Sequence, residues 1–301
     1  MLKLDAHIHV TPPEITGNLD RYVAQEPYFA LLSASPKNKF ADAQTVIAEL
    51  DGAGFDGAVI FGFGFQDLGL CRMVNDYVIA MVKTYPRLTG FIAVPPAGRG
   101  ALGEIERAHD AGLKGVGEIF PSGQRFSIED ETVTRAFAGL CAERSLPILV
   151  HANEPVGHYY PGKTDTTLRQ LELFIEHSPA TDIILAHWGG GLFFYEMMPE
   201  FRQKCARVYY DCAATPFLYD SRVYKTACDL GLETKILFGS DYPLLPLSRY
   251  LTDIDKSGMT AAARELFLGG HCARLLAAAR LSFAPAAGLF RRAAPPRRPR
   301  R

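Results

Sequence analysis

Short apolar runs alternate with longer amphipathic stretches along almost the whole chain. Residues 2–10 (LKLDAHIHV) read as a first strand, and Ala43–Ala53 follows as a helix with Asp42 placed to cap it. Then come GAVIF (Gly57–Phe61), a helix over Gly69–Tyr85, LTGFIAV (Leu88–Val94), a helix over Ala101–Ala111, KGVGEIF (Lys114–Phe120) and a helix over Glu129–Arg144. The second half keeps the same beat. PILVH (Pro147–His151) precedes a helix over Asp165–His177, DIILAH (Asp182–His187) one over Phe193–Gln203, and RVYYD (Arg207–Asp211) one over Tyr219–Leu230. KILFG (Lys235–Gly239) is the eighth strand, with short helices near Ala261–Leu268 and His271–Ala279.

Strands that are apolar throughout and separated by helices belong to a parallel sheet covered on both faces. Eight such units predict an α/β fold of the closed (β/α)8 TIM-barrel type, distorted, with extra C-terminal helices. An open dinucleotide-binding sheet fits less well, because strand one leads into no GxGxxG turn. Two segments break the beat. Residues 11–40 exceed the usual βα connection of about 2–6 residues. They read as a long loop on the face where barrel active sites form, carrying Tyr22, Tyr28 and Phe29 as a lid. Residues 283–301 turn to Ala, Pro and Arg and read as a disordered tail, leaving 1–282 as a single barrel domain.

Composition narrows the function. Hydrophobic residues make up 48% of 301, enough for one large core. The net charge of −1 hides an asymmetry: residues 291–301 hold six Arg, and the remainder has 26 basic against 33 acidic residues. Such a body lacks the basic face that nucleic acid requires. The six cysteines are scattered, without a zinc-knuckle or redox spacing, and read as reduced thiols. No signal-peptide run opens the sequence, and no stretch of about 18–20 apolar residues offers a bilayer span. The expectation is a soluble, cytoplasmic protein with a small-molecule substrate and neither membrane nor nucleic-acid partner.

The chemistry gathers at strand ends. His7 and His9 are two apart on strand one and so face the same way. His151 ends strand five, His187 ends strand six, and Asp241 follows strand eight in GSDYPL. C-terminal strand ends are where a barrel builds its site, and four imidazoles with a carboxylate suit Zn²⁺ or a similar borderline ion. Glu118 ends strand four on the same rim. Two readings of it stand side by side: a bridging ligand, or a hydrogen-bonding neighbour. In the segment after strand five, Asn153, His158, Tyr159 and Lys163 are candidate substrate contacts, with His158 and Lys163 suited to a carboxylate. Phe63 and Trp188 are candidates for a flat apolar wall. No Ser or Cys sits in a nucleophile elbow.

The stretches DAHIH (5–9), LKGVGEIF (113–120), VHANEP (150–155), ILAHWGG (184–190), KILFGSDYPL (235–244) and LFLGGHCARLL (266–276) together resemble the amidohydrolase superfamily. The resemblance is to the branch called amidohydrolase family 2, which includes aminocarboxymuconate-semialdehyde decarboxylase and related metal-dependent barrels. It implies that His7, His9 and His151 hold the principal metal with Asp241. Asp241 would also move the proton of the attacking water, and His187 would polarise substrate or bind a second ion. Glu118 resembles the strand-four Glu of two-metal hydrolases. One ion, zinc by ligand type, is the expectation, and two if Glu118 is a ligand. A homodimer is implied as well. The reaction expected is hydrolysis of an amide, ester or lactone of a small carboxylated substrate, with non-oxidative decarboxylation of an aromatic or muconate-like acid as the alternative.

Overall fold

A computed structural model describes residues 2–36 and 39–278. The tail assigned to 283–301 lies outside them. Among the described residues eight strands form: β1 (Leu4–His9), β2 (Gly57–Phe61), β3 (Leu88–Gly90), β4 (Val116–Ile119), β5 (Ile148–Val150), β6 (Ile183–Leu185), β7 (Val208–Asp211) and β8 (Ile236–Leu237). β1-β2-β3 make one parallel sheet and β4 to β8, in sequence order, a second. Parallel bridges at both seams, Ile92 to Val116 and Ile8 to Tyr242, join the two sheets into a ring. Gly117 N donates to Ile92 O at 2.9 Å across one seam, and Ala6 N to Phe238 O at 2.8 Å across the other. The result is the eight-stranded barrel that the alternation predicts.

Two apolar clusters explain why the strands are apolar on both faces outside the site-forming residues of β1, β4 and β7. One draws Ala6, Val59, Leu149, Ile184 and Leu237 from five strands toward one another. The larger one packs Ile60, Val116, Ile148 and Val208 against helix residues such as Val46, Val74, Phe137 and Phe174. Each buried side chain of this size contributes about 1.5–3 kcal/mol relative to exposure. Helix starts are fixed by short polar caps. Asp42 accepts from Thr45 N at 2.8 Å and Asp67 from Leu70 N at 2.7 Å. Thr167 and Gln170 form a reciprocal capping box. Each cap of this kind is worth about 1 kcal/mol.

The structure departs from the pattern-based reading at several elements. Residues 11–40 are not a plain loop. Their described part contains three short helices, Pro13–Gly17, Leu19–Gln25 and Pro27–Ser33. Pro13 and Pro27 look like breakers in the sequence but open two of these helices, where a missing N–H costs nothing. The helix expected over Phe193–Gln203 is a left-handed and 3₁₀ stretch over His187–Met197 followed by Pro199–Lys204. The helix expected over Tyr219–Leu230 is the shorter Arg222–Asp229, and two further helices appear, Thr215–Leu218 before it and Leu247–Lys256 after β8. All six cysteines are free thiols. No helix among the described residues is long and apolar enough to cross a membrane.

Candidate metal centre

Five C-terminal strand ends aim six side chains at one point. His7 Nε2 and His9 Nε2 lie 3.4 Å apart on β1. Asp241, just past β8, brings Oδ1 to 3.6 Å from the first and 3.3 Å from the second. Glu118, from β4, stands between these three groups and a second set. Its Oε2 is 3.8 Å from His7 Nε2 and 3.4 Å from His9 Nε2. Its Oε1 is 3.0 Å from His151 Nδ1 and 3.7 Å from His187 Nε2. The ligand-capable atoms therefore fall into two triads, His7-His9-Asp241 and Glu118-His151-His187, each within 4.8 Å. The family pattern groups His151 with the β1 pair; here it stands with His187, and Glu118 reaches both groups.

The outer ring nitrogens test whether this set suits a cation. His151 Nε2 contacts Gly162 O at 2.8 Å, and His187 Nδ1 contacts Ala213 O at 3.0 Å. A carbonyl only accepts, so both contacts place an N–H on the outer nitrogen. His7 Nδ1 meets the Asp211 carboxylate at 2.8 Å, which likewise calls for an N–H. The inner nitrogens of these three rings are then the ones that face the carboxylates. Metal-binding imidazoles are held in this way, outer N–H anchored and inner lone pair presented. His9 is the exception: its Nδ1 is buried without a partner, and its ring stacks on Phe63 at 4.7 Å. Donor types and tautomers fit a divalent ion.

The electrostatics agree. Burial opposes charge on His9, yet Asp241 and Glu118 outweigh it and raise its pKa to about 9. Burial likewise opposes charge on His187, but Glu118 and Asp241 carry it to about 10. Burial alone would raise Glu118, but His151 and His7 hold it well below the usual carboxylate range, and Asp241 is lowered despite burial by His9 and His7. The concentrated negative field that retains protons here is one that favours a cation.

The backbone is bent to make this possible. His187 and Asp241 adopt φ of 55° and 57°, a region that side-chain-bearing residues rarely enter and that costs of order 1–3 kcal/mol each. Backbone hydrogen bonds hold both: His187 N donates to Asp211 Oδ1 at 3.0 Å, and Asp241 N to His7 O at 2.9 Å. Gly239 makes room, since a Cβ there would stand 2.8 Å from His7 Cβ and 3.2 Å from Asp211 Cβ. Asp5 joins β1 to the β8 end by accepting from His7 N at 2.9 Å and Ser240 N at 3.1 Å.

A cavity of about 330 Å³ opens over the triads, a size that suits a small molecule. Tyr28, Phe29, Phe63 and Phe120 form an aromatic wall, and Lys39, His158 and Tyr160 supply polar groups. Of the predicted substrate residues, Phe63 and His158 line it. Four others do not. Asn153 is buried and braces its own loop, its Oδ1 accepting from Thr164 N and Oγ1 at 2.9 and 2.7 Å. Lys163 Nζ turns to the carbonyls of Val156, Gly157 and His158. Tyr159 faces solvent. Trp188 is fully buried and donates to Thr215 Oγ1 at 2.8 Å.

Sequence reasoning missed Tyr28 as a cavity residue, although it named the residue in the lid. Tyr28 donates to Pro161 O at 2.7 Å, tying the first inserted segment to the loop after β5. It also missed Asp211, whose signal was available: an acid at the C-terminal end of β7, where the strand-end rule already applied.

The sequence profile described as amidohydrolase matches residues 4–277. Among solved structures, 5-carboxyvanillate decarboxylase from Sphingomonas paucimobilis superposes with a TM-score of 0.74 at 17% identity, covering 93% of this chain and 99% of that one. A 5-carboxyvanillate decarboxylase from Novosphingobium aromaticivorans, complexed with manganese and 4-hydroxy-3-methoxy-5-nitrobenzoic acid, gives 0.68 at 16%, covering 92% and 96%. A probable 2-pyrone-4,6-dicarboxylic acid hydrolase from Acinetobacter baumannii gives 0.64 at 14%, covering 92% and 100%. At such identities the likeness establishes the fold. Comparison with curated protein sequences finds no match.

Proposed function

The chain belongs to the amidohydrolase family, and from that premise we propose a metal-dependent hydrolase acting on an amide, ester or lactone of a small carboxylated molecule. The observation that carries this reading is the position of Glu118, one carboxylate facing both donor triads. His7, His9 and Asp241 would hold one divalent ion and His151 and His187 a second, with Glu118 serving both. Zinc is the expected metal by donor type. When bound, such ions supply Lewis acidity to a substrate oxygen and make water a better nucleophile at neutral pH.

The protein's own groups do the rest. Asp241 is ionised at neutral pH and borders the cavity, so it can take the proton of the attacking water and return it to the leaving group. His187 Nδ1 is anchored on Ala213 O, which keeps Nε2 turned toward Glu118 as a donor for the second ion. The aromatic wall excludes water around a flat substrate body. Lys39 provides a cationic group and His158 an imidazole N–H that a substrate carboxylate seeks.

Decarboxylation is the second reading, and His187 favours it. Where the second ion is not bound, His187, with its pKa raised to about 10, could deliver a proton to the carbon that loses CO₂. The two separate in one experiment. Zinc- or manganese-loaded protein is incubated with carboxylated lactones and esters, and in parallel with aromatic and muconate acids. Acid release from the first panel without CO₂ from the second is expected; CO₂ release without hydrolysis overturns the proposal.

A further inference from the structure

We propose that Asp211 is the positioning residue that binds the two halves of the metal centre into one unit; this rests on the metal-dependent reading above. Asp211 ends β7, between the His187 and Gly239 segments, and its side chain is fully buried. It touches neither the cavity nor the inner donor atoms. Its Oδ2 accepts from His7 Nδ1 at 2.8 Å. Its Oδ1 accepts from His187 N at 3.0 Å and Ala213 N at 3.0 Å. One carboxylate therefore holds the ring of a residue in the first triad and the left-handed backbone of a residue in the second. Ala213, whose N–H it also receives, is the residue whose carbonyl anchors His187 Nδ1.

The chemistry of the three contacts explains why this residue is an aspartate. All three partners are N–H groups, so both oxygens must accept. An asparagine has one oxygen. If that oxygen faces His7, its NH₂ opposes the amides of His187 and Ala213. If it faces those amides, the NH₂ opposes His7 Nδ1–H, and the ring is pushed toward the tautomer whose Nε2 is protonated and cannot ligate. The negative charge also makes His7 a more basic donor, as carboxylates behind metal-bound imidazoles do. Gly239 is part of the same device, since a Cβ there would crowd both His7 Cβ and Asp211 Cβ.

The test uses zinc alone and two readouts. In zinc-loaded wild-type protein with ¹⁵N-labelled histidine, His7 should show a protonated Nδ1 in a strong hydrogen bond and a ligated Nε2. Chelator competition should show zinc affinity falling about 10- to 100-fold in Asp211→Asn. Equal zinc affinity in wild type and Asp211→Asn overturns the assignment and leaves the metal-dependent reading intact. If wild type binds no zinc, both are overturned. Should Asp211→Asn fail to fold, the ring spectrum of the wild type decides: a His7 protonated on Nε2 refutes the role.

Discussion

Replacing Glu118 with Gln tests the shared carboxylate most sharply, because the change keeps the side chain's shape and removes its charge. The four nitrogens that would share ions with it stand 3.0–3.8 Å from its two oxygens. Two unit charges about 4 Å apart interact by about 4 kcal/mol at an effective dielectric of 20, a lower bound for the loss beside a divalent ion. At 1.4 kcal/mol per decade this is roughly a thousandfold in Kd. The amide keeps one carbonyl oxygen, which can face only one triad, so the other triad is left with an NH₂ that does not ligate. Glu118→Gln should therefore bind one zinc where the wild type binds two, and the retained ion should bind more weakly. Elemental analysis after dialysis gives the stoichiometry and isothermal titration gives the affinity, with thermal unfolding confirming that the variant is folded. Two ions retained at wild-type affinity would refute Glu118 as a ligand.

Other outcomes follow from the same geometry. Asp241→Asn should lower kcat by about 10²–10⁴, the usual worth of a positioned acid–base group, with substrate binding affected much less; near-normal kcat sinks the proton-transfer role. Tyr28→Phe loses the bond to Pro161 O, worth about 0.5–1.5 kcal/mol, so KM should rise roughly two- to tenfold at unchanged metal content; an unchanged KM removes Tyr28 from the cavity's closure. Metal binding should release protons, since His9 and His187, at about 9 and about 10 in the ion-free site, are charged at neutral pH. Zinc affinity should therefore climb between pH 6 and 9, read by titration in buffers of different ionisation enthalpy, and a flat profile contradicts the assignment. The same raised values stabilise the ion-free fold fully below about 6.5, and that contribution is lost as pH rises through 9 and 10, so its Tm should fall on the alkaline side.

The barrel was legible because its strands are buried on both faces and so stand out as apolar runs between amphipathic helices. The six inner groups were legible for a related reason: a strand end fixes where a side chain points, and His7, His9, Glu118, His151, His187 and Asp241 all sit at or just beyond one. What was not legible lies where no periodicity fixes direction. Asn153, Tyr159 and Lys163 belong to the irregular segment after β5, and their side chains turned out to brace the loop or face water. Trp188 follows a left-handed turn that swings it into the core. The inserted helices were hidden by prolines whose role at a helix start cannot be told from a break without knowing the next turn. Asp211 was read as the end of strand seven and still left out of the site, because its carboxylate acts behind the His7 ring and not at the cavity.

The two triads joined by Glu118 are proposed to hold two divalent ions. Elemental analysis of the wild-type protein, purified without a chelator or histidine tag and supplemented with zinc, tests it most directly. About two equivalents per chain are predicted. A single equivalent that Glu118→Gln leaves untouched, or none at all, would contradict the account.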